Sequence, residues 1–199
     1  NSSFKSAHNH LATALEHERR YSLARESYKK AISLDSNYAE ARLNLSLLEI
    51  LLKNFREGWE LYESRWETKG FEESAYFEVK KRLTNKPAWQ PGLGGRLLIW
   101  REQGLGDTIM FASVLGELLG HCEQLTVSLD PRLISIFERS FPDTVRFISE
   151  AQEIKPDEID YHLPIGSLPH FFRNQLADFQ LVETPYLKAD PIKVSALRE

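Results

Sequence analysis

Apolar positions in the front part of the chain recur at three- and four-residue intervals, the spacing of one face of a helix. They predict helices at roughly 4–18, 22–34, 39–53 and 55–68. Asp35-Ser36-Asn37 is a turn cluster, and Lys53-Asn54 marks a second turn. A further helical stretch runs from Glu72 to Leu83. Thr84 to Gly95 then gathers Pro87, Pro91, Gly92, Gly94 and Gly95, a density of breakers that marks a linker. Beyond it the period changes. Arg96 to Trp100 is a short apolar run and reads as a buried strand. Asp107–Leu119 reads as a helix, Gln124–Leu129 as a strand, and Pro131–Ser140 as a helix opened by a proline. Thr144–Ile148 and Ile159–Leu163 are two more strands, followed by a helical piece near Ser167–Arg173. Strand and helix in alternation imply a parallel sheet with helices over its faces.

Displaced by 34 residues, the helical pattern meets itself: Ala7 falls on Ala41, Leu11 on Leu45, Tyr21 on Phe55, Glu26 on Glu60 and Tyr28 on Tyr62. Small residues correspond as well, Ala12 with Ser46 and Ala24 with Gly58. That period with small residues at those places is the tetratricopeptide signature. The small residues let the two helices of a repeat approach closely, and the aromatics fill the groove between repeats. The Glu72–Leu83 helix is then expected to cap the array, because a repeat cannot bury both faces alone. The reading is a multidomain α and α/β chain: helical repeats with a cap over residues 1–86, and a Rossmann-like parallel α/β domain over 87–199.

The stretch most informative about chemistry is Trp100-Arg101-Glu102-Gln103-Gly104-Leu105-Gly106-Asp107-Thr108, between the first strand and the first helix of the rear domain. Ligands of open parallel sheets bind at the carboxyl ends of strands. Gly104 and Gly106 remove side chains there, so the backbone can turn tightly and a ligand can come close. The helix that follows offers free N–H groups and a positive end. The third glycine of a dinucleotide fingerprint is missing. Glu102, Gln103, Gly104, Gly106, Thr108 and, from the fourth strand, His162 are the candidate ligand-binding residues, and Asp107 is the candidate catalytic residue.

Asp107 has two readings. One is a helix N-cap accepting bonds from the first turn; the other is a general base with one oxygen left open to the cleft. Glu102 is a second candidate carboxylate, or a solvated loop charge. His162 is placed at the end of its strand, where it orients an acceptor or steadies a phosphate, or is satisfied by backbone. Arg101 reads as exposed, with contact to an anionic ligand as the alternative. Trp59, Tyr62 and Trp66 share a helix face and read as packing between the last repeat and its cap, the alternative being an aromatic peptide groove.

Bulk composition narrows the classes. Hydrophobic residues make up 42% and charged residues 27%, ordinary for globular domains. Up to Gln90 there are 15 basic and 13 acidic residues, and after it 10 and 16, so neither half carries the basic footprint of a general nucleic-acid binder. Cys122 is the single cysteine, which excludes an intramolecular disulfide and a Cys-rich zinc site and fits a reducing, cytoplasmic setting. The best apolar run, Leu45 to Leu52, is broken by Glu49, so no membrane span is expected. No secretory signal pattern opens the sequence. Asn44-Leu45-Ser46 matches a glycosylation acceptor but lies inside a predicted repeat helix.

Several stretches together resemble a known group of proteins. They are Gly58-Trp59-Glu60-Leu61-Tyr62-Glu63-Ser64-Arg65-Trp66, Pro87-Ala88-Trp89-Gln90-Pro91-Gly92, Arg96 to Trp100, Glu102 to Asp107, Asp160 to Pro169, and Pro185 to Asp190. They look like bacterial proteins that couple tetratricopeptide repeats to a heptosyltransferase-like glycosyltransferase domain. The resemblance implies the N-terminal half of a GT-B architecture, in which the first Rossmann-like domain holds the acceptor and the second the nucleotide-sugar. It implies that Asp107 matches the aspartate that serves as base, and that the repeats bind a protein or glycan partner. A nucleotide-sugar donor is expected for the parent enzyme. The sequence ends about where the donor half is expected to begin, so no cofactor is expected in this piece, which alone should transfer no sugar. Two other functions compete: a non-catalytic repeat scaffold with a degenerate α/β domain, and a free-standing nucleotide-binding domain, for which no Walker lysine is present.

Overall fold

A computed structural model describes residues 2–74, 85–181 and 185–198. The chain divides into two compact units, Asn1–Val79 with Arg173–Ala177 and Lys80–Phe172 with Asp178–Glu199. The front unit is helical, and the rear unit carries a four-stranded parallel sheet with helices, as the change of period predicts.

In the front unit α1 spans Ser2–His17, α2 Tyr21–Leu34, α3 Ala39–Leu51 and α4 Phe55–Tyr62. α1 packs on α2, α3 on α4, and α2 on α3. Ala12, Leu15, Ala24, Tyr28, Leu45 and Leu48 form the shared core, with Tyr21, Ile32 and Leu61 at its margin. Ala12 and Ala24 are fully buried, as close approach of α1 and α2 requires. Gly58 faces α3 so closely that a Cβ there would stand 2.6 Å from Ile50 Cγ1 and 3.2 Å from the Ser46 carbonyl oxygen.

The helix-ending turns repeat as well. Arg19 (φ 59°) and Lys53 (φ 67°) both adopt left-handed backbone, 34 positions apart. After each, a six-residue hydrogen bond closes the helix, from Arg20 N–H to the Leu15 carbonyl and from Asn54 N–H to the Glu49 carbonyl, both at 2.8 Å. This is the Schellman arrangement that satisfies orphan carbonyls.

α4 ends earlier than the expected 55–68, giving way to a 3-10 turn over Glu63–Glu67 and a short α5, Lys69–Glu72. Arg65 explains the change. Its guanidinium lies 4.5 Å from the Tyr62 ring centroid and 4.2 Å from that of Trp66. It donates to the Tyr62 carbonyl at 3.2 Å, while Thr68 Oγ1 donates to the Arg65 carbonyl at 2.8 Å. Such local side-chain bonds compete with α-helical ones and tighten the chain. Trp59 meets Tyr62 edge-on at 5.7 Å and Trp66 meets Phe71 edge-on at 4.5 Å, so these rings pack against one another. The expected cap, Glu72–Leu83, lies from residue 75 onward outside the described residues.

In the rear unit β1 is Arg96–Trp100, followed by α6 (Leu105–Ala112), α7 (Leu115–Leu118), β2 (Gln124–Leu129), α8 (Pro131–Ser140) and β3 (Val145–Ser149). β4 (Tyr161–Pro164), α9 (Leu168–Phe172) and α10 (Pro191–Ala196) complete it. The strand order is β3-β2-β1-β4. Leu98 stands opposite Thr126 and His162, and Ile99 opposite Val127 and Leu163. One face therefore carries Leu98, Trp100, Thr126, Ser128 and His162, and the other Leu97, Ile99, Leu125, Val127 and Leu163.

The breaker-rich linker is not merely a connector. Ala88 bridges to His162, and the Trp89 N–H donates to the His162 carbonyl at 3.0 Å, so the segment lies along the outer edge of β4 and covers its unpaired groups. Trp89 is fully buried, edge-on to Phe171 and stacked on Phe172, with Nε1 donating to the Leu93 carbonyl at 2.9 Å. The single helix expected over Asp107–Leu119 is two pieces, and it begins earlier, at Leu105. α10 was not anticipated, although Asp190-Pro191 is a helix-start pair: Asp190 accepts from the Ile192 N–H at 3.0 Å.

Candidate functional site

The strand order reverses between β1 and β4: the chain lays β2 and β3 on one side of β1 and β4 on the other. In open α/β sheets such a reversal opens a crevice outside the carboxyl ends of the strands. Two segments meet there, the loop after β1 and the 3-10 turn Ile165–Ser167 after β4, and α6 packs against that turn. The loop residues singled out in the sequence thus stand at the edge where the fold places ligands.

Asp107 is in the first turn of α6 but is not its cap. Gly104 is the N-cap residue, and Asp107 is the third helical position, half-buried, with Oδ2 accepting from the Gly104 N–H at 3.1 Å. That is one half of a capping box; the reciprocal half is missing because glycine has no side chain to give. Among the described residues Asp107 Oδ1 accepts no hydrogen bond. The carboxylate is held by one oxygen, and among the described residues the other is unengaged.

The glycines act differently from expectation. Gly104 has φ −63°, which any residue adopts, and the left-handed glycines are Gly92 and Gly95, ahead of β1. What Gly104 and Gly106 provide is room: both are exposed, and a Cβ at Gly106 would meet nothing within 4 Å. Thr108 is fully buried and turned inward, its Oγ1 donating to the Gly104 carbonyl at 2.9 Å. Gln103 is half-buried, and its carbonyl is taken by Arg101.

Glu102 is not a solvated loop charge. It is 5% exposed, and its Oε1 accepts from the Gly166 N–H at 3.1 Å. A Cβ on residue 166 would lie 2.2 Å from that oxygen, so the contact needs glycine. Arg101 is likewise buried rather than exposed. Its Nη1 pairs with Asp130 at 3.0 Å and Glu150 at 3.1 Å, while Nε and Nη2 donate to the Gln103 carbonyl. Arg101, Asp130 and Glu150 follow directly on β1, β2 and β3, so one guanidinium ties three strand ends to the Gly104 loop. Arg132, held against Asp130, keeps the Asp130 carboxyl well below the usual carboxylate range, helped by the Arg132 N–H and by Arg101.

His162 is the second residue of β4, below the carboxyl edge rather than at the strand end. It is buried, and its Nδ1 accepts from Trp100 Nε1 at 3.1 Å. One ring nitrogen is thus satisfied by an indole across the strand pair. Cys122 is half-buried, and burial pushes its thiol up. Among the described residues no group of three or more His, Cys, Asp or Glu could hold a metal, and no helix is long and apolar enough to cross a membrane.

Sequence reasoning missed Gly166, Asp130, Glu150 and Tyr186. Asp130 was findable, since Asp-Pro before an apolar periodic run is a cap signal. Its side chain accepts from the Arg132 N–H at 2.9 Å. Gly166 lay within the Asp160–Pro169 stretch but was given no role, and Glu150 carried no local signal. Tyr186 donates to the Ile109 carbonyl, and burial pushes its phenol up to about 12.

No protein-family model matches the chain. Protein FlbA of Caulobacter vibrioides is 31% identical over 163 residues, a match that covers 70% of this chain. The chain spans 25% of that relative's length.

Proposed function

We propose that this chain is the acceptor-side part of a sugar-nucleotide-dependent glycosyltransferase, with tetratricopeptide-type repeats in front that bind a protein or glycan partner. The observation that carries the reading is Asp107: a carboxylate at the carboxyl edge of β1, anchored through Oδ2, with Oδ1 unengaged among the described residues and exposed glycine at position 106. Support for the architecture comes from the strand order β3-β2-β1-β4, which is that of one half of a doubly wound Rossmann sheet. Support for the repeats comes from the left-handed turns at Arg19 and Lys53, one repeat period apart. A groove of about 310 Å³ lined by Thr13, Glu16, Tyr21, Asn44, Leu47 and Leu51, among others, is where a partner segment would lie.

In this reading the acceptor hydroxyl gives its proton to Asp107 Oδ1 as its oxygen bonds to the anomeric carbon. The bond from that carbon to the nucleoside diphosphate breaks, and the diphosphate leaves with the electron pair.

The alternative, a non-catalytic scaffold, is favoured by one observation: each carboxylate of the loop already has a structural task, Asp107 on Gly104 and Glu102 on Gly166. Asp107→Asn separates the two. Asparagine keeps an oxygen for the Gly104 N–H, so unfolding should be unchanged in both cases. A base predicts that turnover of a longer, active protein containing this chain falls by roughly 10²–10⁴-fold, the scale of general acid–base catalysis. Full turnover in that variant would remove Asp107 from the chemistry and leave only its cap.

A further inference from the structure

At the amino ends of the strands, the edge opposite the candidate site, the α/β unit holds a recess of about 290 Å³. Arg96, Gln124, Thr126 and Arg146 line it from β1, β2 and β3, and Ile154 and Glu158 line it from the connection between β3 and β4. Strand register brings the first four together. Arg96 stands opposite Gln124 and Thr126 opposite Arg146, so all four share the sheet face that carries Leu98. Two observations mark the recess as a place for a ligand. Thr126 is 7% exposed, yet its hydroxyl makes no hydrogen bond among the described residues, and the recess is its outlet. A hydroxyl drawn in from water without a protein partner costs stability, and valine suits a strand position equally well without that cost. The second observation is Arg146. Arg96 is fully committed, with Nε and Nη2 donating to Asp160 and Nη1 to the Asp157 carbonyl. Arg146 reaches Glu158 through Nη1 at 3.4 Å, longer than an ordinary hydrogen bond, and among the described residues its Nε and Nη2 make none.

We propose that this recess binds a small organic carboxylate with an apolar body. The carboxylate takes the place of Glu158 on the Arg146 guanidinium, whose planar fork matches a carboxylate. It also accepts from the Thr126 hydroxyl and the Gln124 amide, and the apolar body lies against Ile154. The charges choose a carboxylate over a phosphate. Arg146 offers one positive charge that is lightly held, whereas Arg96 is already neutralised by Asp160. A second negative charge on the ligand would face Glu158 and Asp160 with no further cation among the lining residues. The recess lies at the far edge of the sheet from Asp107, so this inference stands apart from the transferase reading and the two can fail separately.

The test is an NMR titration of the full chain with isovalerate and with benzoate at fixed ionic strength. Saturable shifts of the Arg146 Nε–H and Thr126 amide signals are expected with both. Benzamide, which lacks the charge, and inorganic phosphate should leave those signals in place. Arg146→Gln and Thr126→Val should each weaken binding by about ten-fold, the scale of one hydrogen bond to a charged group. Thr126→Val should leave the thermal midpoint of the free chain unchanged or raise it, because the hydroxyl it removes has no protein partner. Glu158→Gln should tighten binding, since a competing carboxylate is gone. The proposal is overturned by the lack of a saturable shift, by an equal response to benzamide or phosphate, or by undiminished binding in Arg146→Gln or Thr126→Val. A lowered midpoint in Thr126→Val also overturns it, because the hydroxyl would then serve the fold. So does weaker binding in Glu158→Gln, which would show that the recess holds a cation on Glu158 instead.

Discussion

The two units each bury a glutamate, and they use it in opposite ways. Glu49, in the helical unit, is fully buried and bridges elements that the repeat spacing already places together: Arg25 Nε donates to it at 2.5 Å and Asn54 Nδ2 at 2.6 Å. It joins α2 to α3 through strong, charge-assisted bonds. Glu102, in the α/β unit, joins segments 64 residues apart, the loop after β1 and the turn after β4, and it accepts from a backbone N–H. The first carboxylate fixes how one helical pair sits on the next. The second fixes the floor of the candidate site. The first glutamate joins two helical elements close in sequence, whereas the second joins two loops far apart in sequence at the carboxyl edge of the parallel sheet.

The sharpest way to break this contrast is to strip Glu49 of its cation. Arg25→Met keeps the aliphatic stem and leaves a buried carboxylate with Asn54 for company. The helical unit should lose about 3 kcal/mol, the low end of the cost of orphaning a buried charge. The double variant Arg25→Met/Glu49→Leu should recover most of that, since an apolar pair suits the same space. Chemical denaturation followed by helical signal measures both. If Arg25→Met proves neutral, the seam does not depend on the pair.

Gly166→Ala addresses the other glutamate. The new methyl would sit where Glu102 Oε1 now is, 2.2 Å away, so the carboxylate must leave the Gly166 N–H. A loss of about 1–2 kcal/mol is expected for a buried donor and acceptor parted in this way. In an active parent enzyme turnover should fall with it, because the loop bearing Gly104 loses its brace. Unchanged turnover with lost stability would make Glu102 a fold residue only.

Gly58→Ala is the helical counterpart. Alanine is worth about 1 kcal/mol more than glycine in a helix interior, but here its methyl would press on Ile50 Cγ1 at 2.6 Å and on α3 backbone. Overpacking costs about 1–3 kcal/mol, so a net loss near 1 kcal/mol is expected. Gly70→Ala, where a Cβ would meet nothing within 4 Å, should cost nothing. A stabilising Gly58→Ala would show that the two helices have room to part.

The smallest effect concerns acid. Asp130 and Asp160 are held below the usual carboxylate range, mainly by hydrogen bonds from Arg132 and Arg96 respectively. A depressed folded-state value means that these groups add stability above the unfolded value, near pH 4. They give it up as pH falls through the folded one. Between pH 5 and 2 the α/β unit should therefore lose stability, and Asp130→Asn should flatten part of that slope. An unchanged slope would place the acid sensitivity elsewhere.

The hydrophobic pattern by itself indicated most of the helices and strands and that helices precede a parallel sheet, because helical spacing and short apolar runs are local properties, but it missed where α4 and α6 end or begin and missed α10. It also marked Ala24 and Gly58 as places of close approach, since repetition displays a packing rule twice. The Gly104–Asp107 stretch was legible as a strand-to-helix junction, because it falls between the apolar run of β1 and the helical spacing of α6. What the tertiary structure alone decided were the partners. Glu102 read as a loop charge and Arg101 as exposed, yet both are buried, since the residues that satisfy them, Gly166, Asp130 and Glu150, come from other strand ends. Asp107 moved from cap to third helical position because the helix begins at Leu105, a boundary set by the turn packed beneath it. Leu11 and Leu45 look equivalent in sequence and are not in space: burial belongs to what lies against a helix, and that is never written in the helix itself.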